Sequence, residues 1–181
     1  MMRLFIAIDI DETIRHDIAG LGRSLPNTRP VPADQLHLTL KFIGEVDGSR
    51  ALDIMEGLEE VSRPGFSLCL KGVGIFPPRG IPRILWAGVE PHENIVALRN
   101  AIEKKLADID IPREKQKFSP HLTLARLKYC PLKRLQEFLA GNALLRTPDF
   151  PVTQFHLYKS QLTKGGAIHT IVRSYPLTTA T

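Results

Sequence analysis

The sequence predicts an α+β fold in two lobes, built by internal duplication, with two antiparallel sheets, flanking helices and a central cleft. The tetrapeptide His-Leu-Thr-Leu occurs twice, at residues 37–40 and 121–124. The run Arg3-Leu-Phe-Ile-Ala7 has a counterpart in Arg83-Ile-Leu-Trp-Ala87. Both pairs fall at the same place in a strand–helix–strand–helix–strand order. Since a solenoid needs three or more repeats, two copies indicate a pseudo-twofold molecule.

The first copy covers about residues 3–76 and begins with an apolar run that predicts a strand at 4–10. Asp11 is an N-cap residue for a helix that extends to about residue 24, before a proline-rich loop. The remaining predicted elements of this copy are a strand at 36–46, a helix at 49–61 and a strand at 66–76.

The second copy covers about residues 83–162, after a loop predicted at Pro77-Pro78-Arg79-Gly80. Its predicted elements are strands at 83–90, 121–129 and 152–162 and helices at 93–108 and 132–139. The Gly165-Gly166 turn then leads to a final strand at 168–177. We expect residues 1–181 to form one bilobal domain.

The composition excludes several classes of protein. With 43% hydrophobic and 24% charged residues, the chain resembles globular proteins rather than disordered or coiled-coil ones. No apolar run approaches the roughly 20 residues that span a bilayer, and no secretory signal is recognisable. Cys69 and Cys130 are too few for a disulfide framework. We expect a cytoplasmic monomer that does not associate with membranes.

Positive charge is concentrated in one part of the chain. Residues 113–134 contain seven Lys and Arg residues and a single acidic residue, although the net charge of the whole chain is only +5. This excess predicts an anionic partner, with a nucleic acid or a nucleotide ahead of a membrane surface. A solvated lysine-rich surface is the alternative.

The two tetrapeptides carry groups suited to phosphoryl chemistry. On a strand, His and Thr point to one face and the two Leu to the other, so the leucines belong to the core. Two such strands facing one cleft would supply two imidazoles and two hydroxyls to one phosphate. One neutral His can take a proton from water while a protonated His gives one to the leaving oxygen, and the Thr hydroxyls donate to phosphate oxygens.

Other interpretations of the motif are weaker. A single His-x-Thr is most often the polar face of a strand, but two copies in register argue against that. A metal site fits poorly because neither motif contains a carboxylate or a second His at ligand spacing. A Thr nucleophile would need a base beside it on its own strand.

These residues resemble the 2H phosphoesterase superfamily, which is defined by two His-x-Thr/Ser motifs. The closest branch is the RNA 2',3'-cyclic phosphodiesterases, also called 2'-5' RNA ligases. The resemblance is carried by His37-Leu-Thr-Leu-Lys-Phe-Ile-Gly-Glu45, by Phe118-Ser-Pro-His-Leu-Thr-Leu-Ala-Arg126 and by Ser160-Gln-Leu before Gly166. It implies a bilobal fold, hydrolysis of 2',3'-cyclic phosphates to 2'-phosphates without metal or cofactor, and weak reversible 2'-5' ligation.

The resemblance also implies roles for individual residues. His121 becomes the base and His37 the acid, while Thr39 and Thr123 become phosphate donors. It places Arg126 near the phosphate or RNA, although simple alternation puts Arg126 on the opposite face of its strand. A β-bulge would reconcile the two.

Four further interpretations concern residues near or outside the motifs. Where the family has a tyrosine this chain has His169, which we treat as a candidate site residue. Alternation places Phe42 in the core, with stacking on a nucleobase as the alternative. His16, His92 and His156 have no partner pattern and are expected at the surface or at helix ends. Lys164-Gly-Gly166 lacks a Walker pattern and predicts a hairpin turn.

The predicted function is hydrolysis of RNA ends that carry a 2',3'-cyclic phosphate, with tRNA fragments among the possible substrates. Two alternatives remain open. One is a phosphodiesterase of a small cyclic-phosphate nucleotide, and the other is a non-catalytic module that binds a nucleotide or RNA.

Overall fold

The structure is a computed structural model that describes residues 1–179. These residues form nine strands, four α-helices and a short 3-10 helix at Ala33–Gln35. The strands are β1 (Met2–Asp9), β2 (Thr28–Pro30), β3 (His37–Val46), β4 (Phe66–Phe76), β5 (Ile84–Glu90), β6 (His121–Leu127), β7 (Phe150–Val152), β8 (Gln154–Thr163) and β9 (Gly166–Pro176). The helices are α1 (Glu12–Ile18), α2 (Gly48–Glu59), α3 (His92–Ala107) and α4 (Leu132–Gly141).

The strands form two antiparallel sheets, which confirms the predicted fold class. The first sheet has the order β3-β1-β8-β9 and the second the order β2-β6-β5-β4-β7. The third strand of each sequence copy pairs within the other copy's sheet, since β4 lies beside β5 and β8 beside β1. Each half of the chain therefore contributes strands to both sheets, and the two halves exchange their corresponding third strands.

Helix α1 ends earlier than predicted. The side chain of Asp11 accepts hydrogen bonds from the backbone N–H groups of Thr13 and Ile14, which confirms the predicted N-cap. The helix stops at Ile18 rather than near residue 24 because Gly20 and Gly22 have φ angles of +82° and +90°. Glycine adopts this left-handed region without steric cost, and a helix cannot continue through it.

Two short strands were not predicted. β2 lies in the segment expected to be a proline-rich loop and pairs with β6 at the edge of the second sheet. The strand expected at 152–162 is interrupted at Thr153, so that β7 pairs with β4 and β8 pairs with β1. Strands of three residues arise from long-range pairing, which local sequence does not encode.

The core is one continuous cluster of buried apolar side chains from both sheets and all four helices. A small second cluster of Phe5, Ala7 and Tyr158 lies on the other face of the first sheet. The first sheet thus has one face in the core and one face towards a cleft. Within residues 1–179, none of the helices combines the length and the hydropathy that crossing a membrane requires.

Candidate active site

The two His-Leu-Thr-Leu segments begin β3 and β6, whose Cα atoms approach within 8 Å of each other. In both segments the His and Thr side chains are partly exposed and the Leu side chains are buried. This is the alternation that the sequence predicts, with the leucines in the core.

A β-bulge in β6 places Arg126 on the same face as the motif side chains. The register with β5 shifts so that Trp86 pairs with Thr123 and Ile84 with Arg126. Because Ile84 and Trp86 point to one face of β5, Thr123 and Arg126 share that face. The bulge expected from the resemblance is therefore present, and simple alternation is wrong for Arg126.

The same irregularity occurs in β3 and changes the position of Phe42. Leu40 and Lys41 are both buried although they are consecutive, because Ile6 pairs with Lys41 while Ala7 pairs with Thr39. The predicted core position of Phe42 is wrong, since the side chain is 66% exposed. Its ring centroid lies 6.1 Å from that of Phe5, on the cleft face. Phe42 and Arg126 thus occupy equivalent places on the two bulged strands.

His121 has a defined hydrogen-bond partner. Its Nδ1 lies 2.8 Å from the backbone carbonyl oxygen of Ser119, so the Nδ1–H donates and Nε2 is left to accept a proton. Phe76 packs edge-on against the ring at 4.9 Å between centroids, and Trp86 lies 6.5 Å away. These contacts hold the ring in one orientation at the surface of the second sheet.

His37 packs among aromatic rings on the first sheet. Its centroid lies 5.0 Å from Phe5 and 5.8 Å from Tyr158. Burial, together with the charge of His169, lowers the pKa of His37 to about 4, although a backbone hydrogen bond at Gln35 and the Asp9 carboxylate act in the opposite direction. At neutral pH the ring is therefore uncharged in the ligand-free protein.

His169 lies directly beside His37, although β3 and β9 are the two opposite edges of the first sheet. Edges of a flat four-stranded sheet would be roughly 14 Å apart, yet the two ring centroids are separated by 5.3 Å. The sheet is therefore strongly curled, with both rings on its concave face. Nδ1 of His169 is buried and has no hydrogen-bond partner among residues 1–179. Burial lowers the pKa of His169, against the effect of Asp34.

A chain of polar contacts supports Asp9, which pairs with His37 across β1 and β3. The Tyr158 hydroxyl donates to Asp9, and His156 Nε2 lies 3.3 Å from the second carboxylate oxygen. Burial would raise the pKa of Asp9, but the hydrogen bonds and charge of these neighbours outweigh it, so the pKa is lowered. Asp9 therefore carries a negative charge next to His37.

The surface position predicted for His156 is wrong. The residue is 2% exposed, and its Nδ1 lies 2.8 Å from the Ser174 hydroxyl. The apolar neighbours Phe155 and Leu157 were the available signal, because a His within such a run is commonly buried with a partner. The exposed position of His16 and the location of His92 at a helix end are confirmed.

A buried ion pair joins β3 to α3. Lys41 Nζ in β3 lies 3.0 Å from Glu103 Oε1 in α3 and 3.0 Å from the carbonyl of Pro112, which begins the segment leading to β6. Both charged side chains are less than 5% exposed. Arg99 adds a second contact to the same carboxylate at 3.1 Å. The network couples the position of β3 to the chain that carries the second motif.

Two cavities contain candidate site residues. One of about 420 Å³ is lined by His37, His169, Tyr158, Asp9 and Arg15 among others. Another of about 610 Å³ contains Arg126. Both are within the size range of small-molecule sites. Among residues 1–179, no group of three or more His, Cys, Asp or Glu side chains is arranged to hold a metal ion.

Residues 11–164 match the family model of the 2'-5' RNA ligase superfamily. This chain belongs to the 2'-5' RNA ligase superfamily. It is 33% identical to an RNA 2',3'-cyclic phosphodiesterase of Archaeoglobus fulgidus, covering 96% of this chain and 99% of the relative. The same name is given to a relative from Escherichia coli, 32% identical over 97% of each chain. The predicted family and class of enzyme are thereby confirmed.

Similar solved structures support the fold. The crystal structure of E. coli LigT complexed with 3'-AMP superposes with a TM-score of 0.79, at 28% identity, covering 98% of each chain. A structure of the same protein complexed with phosphate is also similar, with a TM-score of 0.73. The superfamily fold thus extends over nearly all of this chain.

Proposed function

We propose that this protein hydrolyses 2',3'-cyclic phosphates at RNA ends to 2'-phosphomonoesters with two histidines as acid and base. The observation that carries the proposal is the pair of equivalent bulged strands, each with a His, a Thr and a functional side chain on one face. The names of the curated relatives support the reaction, and the 3'-AMP in LigT supports a nucleotide in the cleft.

In the proposed mechanism His121 is the base, because its Nε2 is free to accept a proton. It takes a proton from water as the water oxygen attacks phosphorus, the bond to O3' breaks, and His37 donates a proton to O3'. The product keeps its phosphate on O2'. Thr39, Thr123 and Arg126 donate hydrogen bonds to the non-bridging oxygens, whose charge increases in the transition state.

The acid role requires His37 to gain a proton when substrate binds. In the free site the His37 ring is uncharged, so the protein does not have to bury a cation before the substrate binds. The negative charge of the bound cyclic phosphate then favours the protonated form of His37. The Asp9 carboxylate acts in the same direction. Phe42 offers an exposed ring on which the terminal base can stack.

Weak reversible ligation belongs to the same proposal. If a 5'-hydroxyl replaces water as the attacking group, His121 deprotonates it and O3' leaves as before. The product is then a 2'-5' phosphodiester, and its reversal uses the same two histidines in exchanged roles.

The test is incubation with a short RNA that ends in a 2',3'-cyclic phosphate, with EDTA present. We expect a product whose new phosphate is phosphatase-sensitive and whose mass has increased by one water. His37→Ala and His121→Ala should each lower the rate 10²-fold to 10⁴-fold, while His16→Ala on the exposed face of α1 serves as the matched control. Absence of turnover would favour the binding module, and turnover of mononucleotides alone would favour the small-nucleotide enzyme.

We further propose that the protein acts as a cytoplasmic monomer on RNA fragments, including those of tRNA. Both cysteines are free thiols, which suits a reducing compartment. Analytical ultracentrifugation should give one species of the monomer mass, and a concentration-dependent dimer would contradict the proposal.

A further inference from the structure

The cavity of about 610 Å³ lies at the edge of the second sheet, where β2 pairs with the end of β6. We call it the edge pocket. The charged, amide and aromatic side chains that line it are those of Asn27, Arg29, Arg126, Lys128 and Tyr129. It contains three cations and no carboxylate, so its potential is positive.

The three cations of the edge pocket have no acidic partner. Among residues 1–179, no carboxylate lies within 4 Å of the charged groups of Arg29, Arg126 or Lys128. Arg29 and Arg126 are moreover directly opposite each other in the β2–β6 pairing. Like charges at such positions are destabilising, and an anion between them would remove the repulsion.

The edge pocket opens onto the catalytic face. Since paired residues share a face, Arg29 lies on the side of the sheet that carries Arg126 and Thr123. The guanidinium of Arg29 also reaches across to the first sheet, where it lies 4.0 Å from the place a Cβ on Gly166 would take. An RNA chain that runs from the phosphate site past Arg126 therefore reaches Arg29 next.

An exposed aromatic ring stands at the mouth of the edge pocket. Tyr129 is 74% exposed, and Tyr129 and Asn27 have left-handed φ angles of +56° and +53°. Such conformations are strained for residues other than glycine and persist where neighbours impose them. Here the Asn27 side chain donates to the Tyr129 carbonyl at 3.4 Å, and Lys128 N–H donates to the Asn27 carbonyl at 2.9 Å. The paired loops hold an aromatic ring beside three cations.

Proteins that bind single-stranded nucleic acids typically place cations along the path of the phosphate backbone, next to an aromatic ring that can stack on any base. We propose that the edge pocket binds the nucleotide preceding the cyclic end of the RNA. Arg29 and Lys128 bind its phosphate, and Tyr129 stacks on its base. The inference rests on the proposed function and specifies its substrate class as a strand of at least two nucleotides.

The kinetic test compares adenosine 2',3'-cyclic phosphate with a trinucleotide that has the same end. For the wild type we expect a higher kcat/KM with the trinucleotide. In Arg29→Ala/Lys128→Ala the ratio of the two kcat/KM values should fall at least tenfold, because two charge-assisted contacts to the phosphate of the trinucleotide are lost. Tyr129→Ala should lower the same ratio at least fivefold. Lys104→Ala, an exposed cation on α3, is the matched control.

A binding measurement separates this inference from the catalytic proposal. Fluorescence anisotropy of a labelled trinucleotide with a 3'-phosphate, at several salt concentrations, needs no turnover. In the double variant the slope of log K against log salt should decrease by about 0.7 for each lost phosphate contact. An unchanged slope and an unchanged kinetic ratio would overturn the edge pocket while leaving the catalytic proposal intact. If the double variant loses binding while the wild type shows no turnover of cyclic-phosphate RNA, the edge pocket is supported and the catalytic proposal is overturned.

Discussion

The pH dependence of folding stability should contain a contribution from His37. The folded protein holds the pKa of this residue at about 4, against 6.5 for the unpaired side chain. Between these two pH values the unfolded chain binds a proton at His37 and the folded protein does not, so stability falls as pH falls. Above pH 6.5 the His37 contribution is constant.

The magnitude follows from the two pKa values. One pKa unit corresponds to 1.36 kcal/mol, so the free energy of unfolding should decrease by about 2 kcal/mol on going from pH 7.5 to pH 5. The decrease should level off at roughly 3 kcal/mol below pH 4. Both figures are upper bounds, because His37 keeps some exposure to solvent.

The assay is urea unfolding at a series of pH values for the wild type and for His37→Gln, whose amide does not titrate. Titrating groups far from His37 contribute equally to both proteins, so the difference between the two curves reports His37 together with its coupling to His169. An NMR titration of the imidazole in the folded protein gives its pKa directly. Parallel stability curves within about 0.5 kcal/mol, or a His37 titration near pH 6.5, would refute the reasoning.

Three further predictions concern activity and packing. Thr39→Val and Thr123→Val should each lower kcat about 10²-fold on cyclic-phosphate RNA, as expected for lost transition-state donors; losses under threefold would argue against those roles. Lys41→Met should lower the free energy of unfolding in urea by roughly 1.5–3 kcal/mol, because Glu103 loses a charge-assisted hydrogen bond but keeps its contact with Arg99. Gly88→Ala should cost about 1–3 kcal/mol, because its Cβ would stand 2.4 Å from a backbone carbonyl of β4; an unchanged unfolding midpoint would contradict this.

The motif strands could be predicted because their signals are local. In His-Leu-Thr-Leu, apolar and polar residues alternate with period two, and the structure shows the corresponding burial in both copies. Asp11 was recognisable as a cap because capping involves the next three residues. The glycines that end α1 were visible in the sequence too, although the prediction extended the helix past them.

The error at Phe42 came from strand register, unlike those at His156 and at the end of α1. Counting alternate residues placed Phe42 in the core, and only the bulge expected from the resemblance kept Arg126 from being assigned to the opposite face. Each bulge lies where a strand pairs with one that a helix separates from it along the chain, since β3 pairs with β1 across α1 and β6 pairs with β5 across α3. An extra residue inverts the face of every residue that follows it.

The sequence by itself determined the duplicated plan, the two His and two Thr side chains that share strand faces, and the superfamily. The tertiary structure decided the exchange of β4 and β8 between copies, the approach of His169 to His37, and the low pKa of His37 that burial and this neighbour cause. The physical reason is the distance along the chain between the residues that determine each feature. Alternation and caps are set within a few residues, whereas strand pairing, sheet curl and desolvation depend on groups that only folding brings together.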